Sequence, residues 1–150
     1  MPQSLSNILL HLVFSTKNRE PLILPELESE LHAYIAAIHK SMDCPLLKIG
    51  GTENHLHILC RLERGVTVSK LLEEVKKSSS KWIKGKDEGL AGFAWQAGYG
   101  AFSIGMSNVE ALETYITRQK THHQRRSFED EYRELLTKYG VEWDERYVWV

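Results

Sequence analysis

Hydrophobic residues recur along the chain with two spacings, one typical of strands and one typical of helices. Alternating apolar positions predict four strands, over residues 8–14, 46–49, 55–60 and 95–104. Apolar stripes at helical spacing predict four helices, over residues 25–42, 68–84, 107–124 and 127–138. The first six elements follow the order strand, helix, strand, strand, helix, strand. This order predicts an α+β, ferredoxin-like (RRM-like) fold, in which two helices cover one face of a four-stranded antiparallel sheet.

Capping patterns mark the starts of the last two helices and the end of the final one. Ser107 followed by Glu110 has the spacing of a capping box, and Ser127 with Asp130 repeats a similar arrangement. Gly140 is a stop signal for the final helix. We therefore expect these two helices to follow the sheet as separate elements.

The third predicted strand carries two histidines. His55 and His57 are two residues apart, so their side chains point to the same face, while Leu56, Ile58 and Cys60 point to the other. The two sheet helices should cover the apolar face, which leaves the histidines on the open one. A His-x-His pair in a strand is more often structural than metal-binding, so both interpretations stay open on this evidence alone.

Two further groups of polar residues carry weaker signals. Tyr115 and Gln119 are four residues apart and therefore adjacent on one face of the third helix. His122 and His123 do not face each other on a helix, which favours solvated surface over a metal pair. The remaining isolated histidines are expected at the surface or at sheet edges, namely His11, His32 and His39.

Composition and charge narrow the class of protein. The chain has 150 residues, enough for one domain over 1–150, and its formal net charge of −1 excludes an argument for nucleic-acid binding from bulk charge. Local cations lie in the loop after the first strand, at Lys17 and Arg19. A basic stripe on the second helix is by default solvated but has the spacing to follow a phosphate backbone, and it consists of Lys76, Lys77, Lys81 and Lys84.

Other sequence features indicate the cellular compartment in which the protein is expected. Cys44 and Cys60 have neither zinc-site nor redox spacing, which suits a reducing compartment. No segment has the length of a membrane span, and the N-terminus lacks the pattern of a secretory signal. We expect a soluble, cytoplasmic protein. The aromatic tail, 141–150, is predicted to dock on the domain or on a neighbour.

The combination of these motifs resembles a known family. His55-Leu56-His57 in a central strand, with Tyr115 and Gln119 on a later helix, is similar to the HUH endonuclease superfamily. More narrowly, it resembles the small single-tyrosine transposases of bacterial insertion sequences and their repeat-associated relatives. The similarity extends to several other segments, namely Val13-Phe14-Ser15-Thr16-Lys17, the Gly50 turn, Trp95-Gln96-Ala97-Gly98-Tyr99 and Asp144-Glu145-Arg146-Tyr147.

This resemblance implies a metal-dependent enzyme that acts on single-stranded DNA. His55, His57 and Gln119 would bind a divalent cation, Mg²⁺ or Mn²⁺, and Tyr115 would be the nucleophile. DNA would be cleaved and rejoined through a 5′-phosphotyrosine without ATP. The substrate would carry hairpins, and the protein would be a homodimer, with active sites completed in cis or in trans. Candidate DNA contacts are Lys17, Arg19, Lys76, Lys77, Lys81, Lys84 and Arg118.

One departure from the resemblance and two rival functions remain. Relatives often carry an acidic residue where this chain has Asn54, so the residue that orients the histidines is not evident, although Glu53 is near. The main alternative is a non-catalytic RRM-like module, which would bind nucleic acid by stacking bases on sheet aromatics. A zinc hydrolase is disfavoured because the pair lacks a third strong ligand nearby, and Gln119 suits a harder cation.

Overall fold

A four-stranded sheet organises residues 2–150, which are the residues that the computed structural model describes. Its strands are β1 Ile8–Ser15, β2 Leu46–Gly51, β3 His55–Leu62 and β4 Gly100–Ile104. Its α-helices are α1 Pro25–Ser41, α2 Val68–Lys84, α3 Val109–Thr117, α4 Gln119–His122 and α5 Phe128–Lys138. Short 3₁₀ segments occur at Lys17–Arg19, Glu88–Leu90 and Met106–Asn108.

The sheet has the topology predicted from the order of elements. The strands lie in the order β2-β3-β1-β4, and every pair is antiparallel. The two central strands place His57 opposite Val13 and His55 opposite Ser15. The α+β, ferredoxin-like fold is therefore confirmed.

Helices α1 and α2 cover one face of this sheet. Leu12, Leu56 and Ile58 point from the central strands into a buried core, where Ile35 of α1 and Leu72 of α2 meet them. Burial of these aliphatic side chains is the main stabilising contribution on this side of the sheet. The alternation along β3 thereby directs His55 and His57 to the opposite face.

The opposite face is covered as well, by elements from the second half of the chain. Leu112 and Ile116 of α3 pack on Leu59 of β3. The apolar side of α5, which begins at Phe128, forms a second cluster with Val13 of β1 and Phe102 of β4. The face that α1 and α2 leave uncovered is thus enclosed by α3, α4 and α5, and the histidines lie under these helices.

The structure corrects three predicted boundaries. β4 begins at Gly100 and not at Trp95. The carbonyls of residues 96–98 accept hydrogen bonds from Lys76 and take no part in strand pairing. The predicted helix 107–124 is divided at Arg118, whose N–H is shared between the carbonyls of Thr114 and Tyr115. The Ser107 capping box is wrong, since Ser107 lies in a 3₁₀ turn and α3 has no side-chain cap.

The other capping prediction and the bounds of the second helix are confirmed. Ser127 accepts a hydrogen bond from the Asp130 N–H at 3.2 Å, and α2 spans Val68–Lys84. Gly140, with φ of +70°, adopts the left-handed conformation that ends a helix.

The aromatic tail docks on the chain's own β1 and β4 side. The Gly98 N–H donates to the Val150 carbonyl at 2.9 Å, and the Arg19 guanidinium donates to the Trp149 carbonyl at 2.8 Å. The half-buried Trp149 side chain packs beside α5. Within residues 2–150, none of the helices combines the length and apolar character needed to cross a membrane.

Gly50 sets how closely α3 approaches β2. A Cβ atom at this position would lie 2.5 Å from the Ile116 carbonyl oxygen and 2.9 Å from its Cγ2. We expect Gly50→Ala to lower the free energy of unfolding by about 1–3 kcal/mol, because the backbone of α3 must move away. Urea denaturation measures the loss. Gly92→Ala is the matched control, since a Cβ there meets nothing within 4 Å. Equal stability of both variants would contradict the close approach of α3.

Candidate active site

The two histidines of β3 lie at the centre of a buried polar cluster. Both side chains have 0% exposure, and their Nε2 atoms point away from the sheet toward α4 and α5. They occupy this position because the opposite side of β3 is required for the core beneath α1 and α2. The strand alternation thus brings two imidazoles together on one buried face.

Helices α3 and α4 bring Tyr115 and Gln119 to the same place. The Gln119 Oε1 atom lies 2.9 Å from His55 Nε2, and the Tyr115 and His57 rings have centroids 5.7 Å apart. Both residues belong to the chain that carries the histidines. The structure therefore assembles the four residues that the sequence singled out within one chain.

Hydrogen bonds at the Nδ1 atoms orient the two rings. His55 Nδ1 lies 2.8 Å from Asn54 Oδ1 and 3.0 Å from Thr52 Oγ1. His57 Nδ1 lies 2.8 Å from Nε2 of His11 on β1. Asn54 itself, the departure from the family pattern, orients His55, and Thr52 assists it.

Glu131 and His123 belong to the cluster but were not predicted from the sequence. The Glu131 carboxylate on α5 lies 2.9 Å from His57 Nε2, and its second oxygen accepts hydrogen bonds from Tyr115 and Gln119. His123 Nε2 lies 3.0 Å from Glu131 Oε1. The sequence does contain a sign of Glu131, because this charged residue interrupts the apolar stripe of α5, three residues after Phe128 and four before Leu135.

Two histidines expected at the surface or at sheet edges are instead buried, and a third is largely covered. His11 and His39 have 0% exposure, and the side chain of His123 is only 11% exposed. The surface prediction was wrong for these residues because it considered only neighbours on the same element. Contacts from other elements enclose each of them: His57 for His11, Cys44 for His39 and Glu131 for His123.

Burial and charge shift the pKa values of the cluster in opposite directions. Burial would raise the pKa of Glu131, but its contacts with the imidazoles of His123, His55 and His57 outweigh burial and hold that pKa far below its usual range. Burial, followed by the charge of Glu131, raises the pKa of the Tyr115 phenol above its ordinary value. Burial lowers the pKa of His55, and it lowers the pKa of His11 to about 3. The site therefore combines neutral His55 and His11 with an ionised carboxylate and a protonated phenol.

The arrangement of potential metal-ligand atoms fits a bound cation. Asn54 Nδ2 donates to the Arg19 carbonyl, so its Oδ1 must accept the proton on His55 Nδ1. His55 Nε2 then carries a lone pair, which faces Gln119 Oε1, itself an acceptor. Two lone pairs 2.9 Å apart repel each other, and a cation bound between them would remove this repulsion. The potential ligand atoms of His55, His57 and Glu131 all lie within 4.8 Å of one another, so these residues could hold a metal ion.

Comparison with known proteins identifies the family. The sequence profile of the family described as "Transposase IS200 like" matches residues 4–119, which include the histidine pair, Tyr115 and Gln119. The chain belongs to the IS200-like transposase family. The resemblance to the tyrosine transposases is thereby confirmed. Comparison with curated protein sequences gave no significant match.

Solved structures resemble the fold of this transposase. A candidate transposase from Deinococcus radiodurans R1 is 16% identical, with a TM-score of 0.62, over 79% of this chain and 98% of that one. The REP-associated tyrosine transposase, in its complex with a REP hairpin, is also 16% identical with a TM-score of 0.62. That match covers 82% of this chain and 72% of the other. At this identity the likeness concerns the fold alone.

The basic residues of the transposase that were predicted to contact DNA fall into separate groups. Lys17 and Arg19 lie in the loop beside Asn54, and Arg118 is exposed between Tyr115 and Gln119. Three of the candidates on α2 are exposed and lie across the sheet from the histidines, namely Lys77, Lys81 and Lys84. Their role in DNA binding stays a prediction.

Lys76 differs from the other lysines of α2 because its ammonium group is directed inward. It donates to the carbonyls of Gln96, Ala97 and Gly98 at 2.9, 3.3 and 2.6 Å. Burial lowers the pKa of Lys76 to about 8. Its contacts hold the loop that precedes β4.

We expect Lys76→Ala to lower the free energy of unfolding by about 1–3 kcal/mol, because three carbonyls lose a charged donor. Urea denaturation measures this loss. Lys77→Ala, one residue further along α2 and exposed, should change it by less than about 0.5 kcal/mol. Unchanged stability in Lys76→Ala, together with weaker DNA binding, would instead favour a direct phosphate contact.

Proposed function

We propose that this chain is a single-domain, metal-dependent transposase that cleaves and rejoins single-stranded DNA through Tyr115. The observation that carries the proposal is the convergence of Tyr115 and Gln119 with His55 and His57 in one cluster. A tyrosine hydroxyl beside histidine nitrogens and an amide oxygen is the arrangement that a phosphoryl-transfer nucleophile needs next to a cation. Family membership agrees with this chemistry.

The proposed cation ligands are Nε2 of His55, Nε2 of His57 and Oε1 of Gln119, with Mg²⁺ or Mn²⁺ as the ion. Imidazole nitrogens and an amide oxygen are suitable ligands for these divalent ions. When bound, the ion would polarise the scissile phosphate and stabilise the negative charge that develops on the leaving oxygen. Asn54, Thr52 and the His11 ring keep the two imidazoles in the required orientation.

Tyr115 supplies the attacking atom in the proposed reaction. Its Oη forms a bond to phosphorus while the bond from phosphorus to the 3′ oxygen breaks, and the phenol proton leaves as the 3′ oxygen gains one. The products are a 5′-phosphotyrosine and a free 3′-OH. Because one phosphoester replaces another, a second 3′-OH can reverse the step, and rejoining needs no ATP.

Access to Tyr115 is available from one side of the cluster. Tyr115 is half-buried and lines a pocket of about 290 Å³ between α3 and α5, together with Asn108, Lys138 and Tyr139. The histidines behind it have no exposed surface. This geometry supports approach of the phosphate through the pocket, where Lys138 adds a positive charge.

We also propose that the substrate carries a DNA hairpin and that the protein acts in the cytoplasm. Support for the hairpin comes from the REP-associated tyrosine transposase, which was solved in complex with one. A homodimer remains a prediction from the sequence resemblance. The contact between Tyr115 and the cluster of its own chain supports a site that is complete within one protomer.

The proposal is tested by incubating the protein with labelled single-stranded DNA from the flanks of its own gene. With Mg²⁺ or Mn²⁺ present, a denaturing gel should show a protein-linked band, and EDTA should prevent its formation. Binding of the same DNA without cleavage, and without any dependence on divalent ions, would instead favour the RRM-like binding module.

A further inference from the structure

Glu131 is a buried carboxylate on the otherwise apolar inner face of α5. It has 0% exposure on the inner face of α5, where Phe128, Tyr132 and Leu135 are its neighbours. Transfer of an ionised carboxylate out of water has a large free-energy cost unless its charge is balanced. The residues around Glu131 therefore indicate what balances it.

Both oxygens of the carboxylate have several partners. Oε1 lies 2.9 Å from His57 Nε2, 3.4 Å from His55 Nε2 and 3.0 Å from His123 Nε2. Oε2 accepts a hydrogen bond from Gln119 Nε2 at 2.9 Å and another from the Tyr115 hydroxyl. Oε1 thus faces imidazole nitrogens, and Oε2 accepts a hydrogen bond from Tyr115, the proposed nucleophile.

The far nitrogens of two of these rings are held by other groups. His123 Nδ1 lies 2.9 Å from the Arg126 carbonyl oxygen, and His55 Nδ1 lies 2.8 Å from Asn54 Oδ1. These contacts direct the Nε2 atoms of both rings toward Oε1 of Glu131. One carboxylate oxygen therefore lies among three imidazole nitrogens, which are common metal ligands.

The distances match those between neighbouring ligands of one small cation. Ligand atoms about 2.1 Å from an octahedral Mg²⁺ ion lie about 3.0 Å from their nearest neighbours. The separations of Glu131 Oε1 from His57 Nε2 and His55 Nε2, 2.9 and 3.4 Å, are of this size. An acidic ligand also supplies the negative charge that a hard divalent cation favours.

We propose that Glu131 is a further ligand of the divalent cation, through Oε1, while its Oε2 positions the Tyr115 hydroxyl beside that cation. The inference rests on the proposed function, because it uses the same cation. Glu131 lies on α5, outside residues 4–119, which are the stretch matched to the family. In this protein α5 is therefore part of the metal site as well as a cover for the sheet.

The test compares Mn²⁺ binding by the Glu131→Gln and Glu134→Gln variants in the absence of DNA. Binding is measured from the EPR signal of the Mn²⁺ that stays free. Each variant loses one negative charge from α5, but Glu134 is exposed and pairs with Arg126. Glutamine at 131 keeps the size of the side chain and can still accept the Tyr115 hydrogen bond. We expect the affinity of Glu131→Gln for Mn²⁺ to fall at least about tenfold, while Glu134→Gln stays within about twofold of wild type.

Two results would overturn the proposal. Equal Mn²⁺ affinity of the two variants would show that Glu131 is not a ligand, and tighter binding by Glu131→Gln would show that the carboxylate blocks the site. Thermal unfolding without metal monitors the fold, and a rise in Tm on adding Mn²⁺ should be smaller for Glu131→Gln than for wild type. Failure of the proposed function would appear separately, as wild-type protein that forms no adduct with DNA.

Discussion

Tyr115→Phe should form no covalent adduct with single-stranded DNA, while its binding to a hairpin oligonucleotide stays unchanged. Removing the hydroxyl removes the atom that attacks phosphorus, so we expect the yield of adduct to fall at least about 10³-fold. The ring remains in place between His57 and His122. A denaturing gel with labelled DNA measures the adduct, and a mobility shift without divalent ions measures binding.

Tyr34→Phe is the matched control for this experiment. Tyr34 lies on α1, across the sheet from the histidines, where its ring stacks on Trp82. The same loss of one hydroxyl there should leave adduct formation at the wild-type level. A protein-linked band of normal intensity in Tyr115→Phe would disprove the assignment of the nucleophile.

His57→Ala is expected to lose cleavage, and raising Mg²⁺ within the ordinary millimolar range should not restore it. The substitution removes one nitrogen ligand and also the partner of Glu131 Oε1, so we expect at least about a 10²-fold fall in cleavage rate. Mn²⁺ binding, followed by EPR, should weaken in parallel. The cleavage rate is measured with labelled single-stranded DNA at several Mg²⁺ concentrations.

A second buried histidine separates loss of a ligand from loss of stability. His39 has 0% exposure and bonds to the Cys44 carbonyl at 2.9 Å, in the layer that covers the other face of the sheet. His39→Ala should lower thermal stability but retain Mn²⁺ binding and cleavage below its melting temperature. Undiminished cleavage by His57→Ala would rule out a metal-binding role for this residue.

Much of the fold follows from local pattern alone. Period-two alternation places His55 and His57 on one face of β3, and helical spacing predicts the full extent of α2. These features depend on residues close in sequence, which is why they can be inferred without coordinates. The spacing of Tyr115 and Gln119 also predicted that they lie close together. Arg118 divides the predicted helix between them, but both still contact Glu131 Oε2.

Other features depend on contacts between distant parts of the chain. The inward direction of Lys76 depends on a loop some twenty residues later, and that loop also shortens β4. The burial of His11 depends on His57, which is 46 residues away. The spacing of nearby residues gives no sign of either contact. For this reason the local pattern alone places Lys76 and His11 at the surface.

The sequence by itself determined the order of elements, the face of the sheet that carries the histidines and the pairing of Tyr115 with Gln119. Only the tertiary structure decided that α5 closes over this face and that Glu131 and His123 complete the cluster. The physical reason is distance along the chain: His57 and Glu131 are 74 residues apart, and their contact exists only when α5 packs on β1 and β4. Packing of apolar neighbours on α5, rather than any local motif, brings the carboxylate to the histidines.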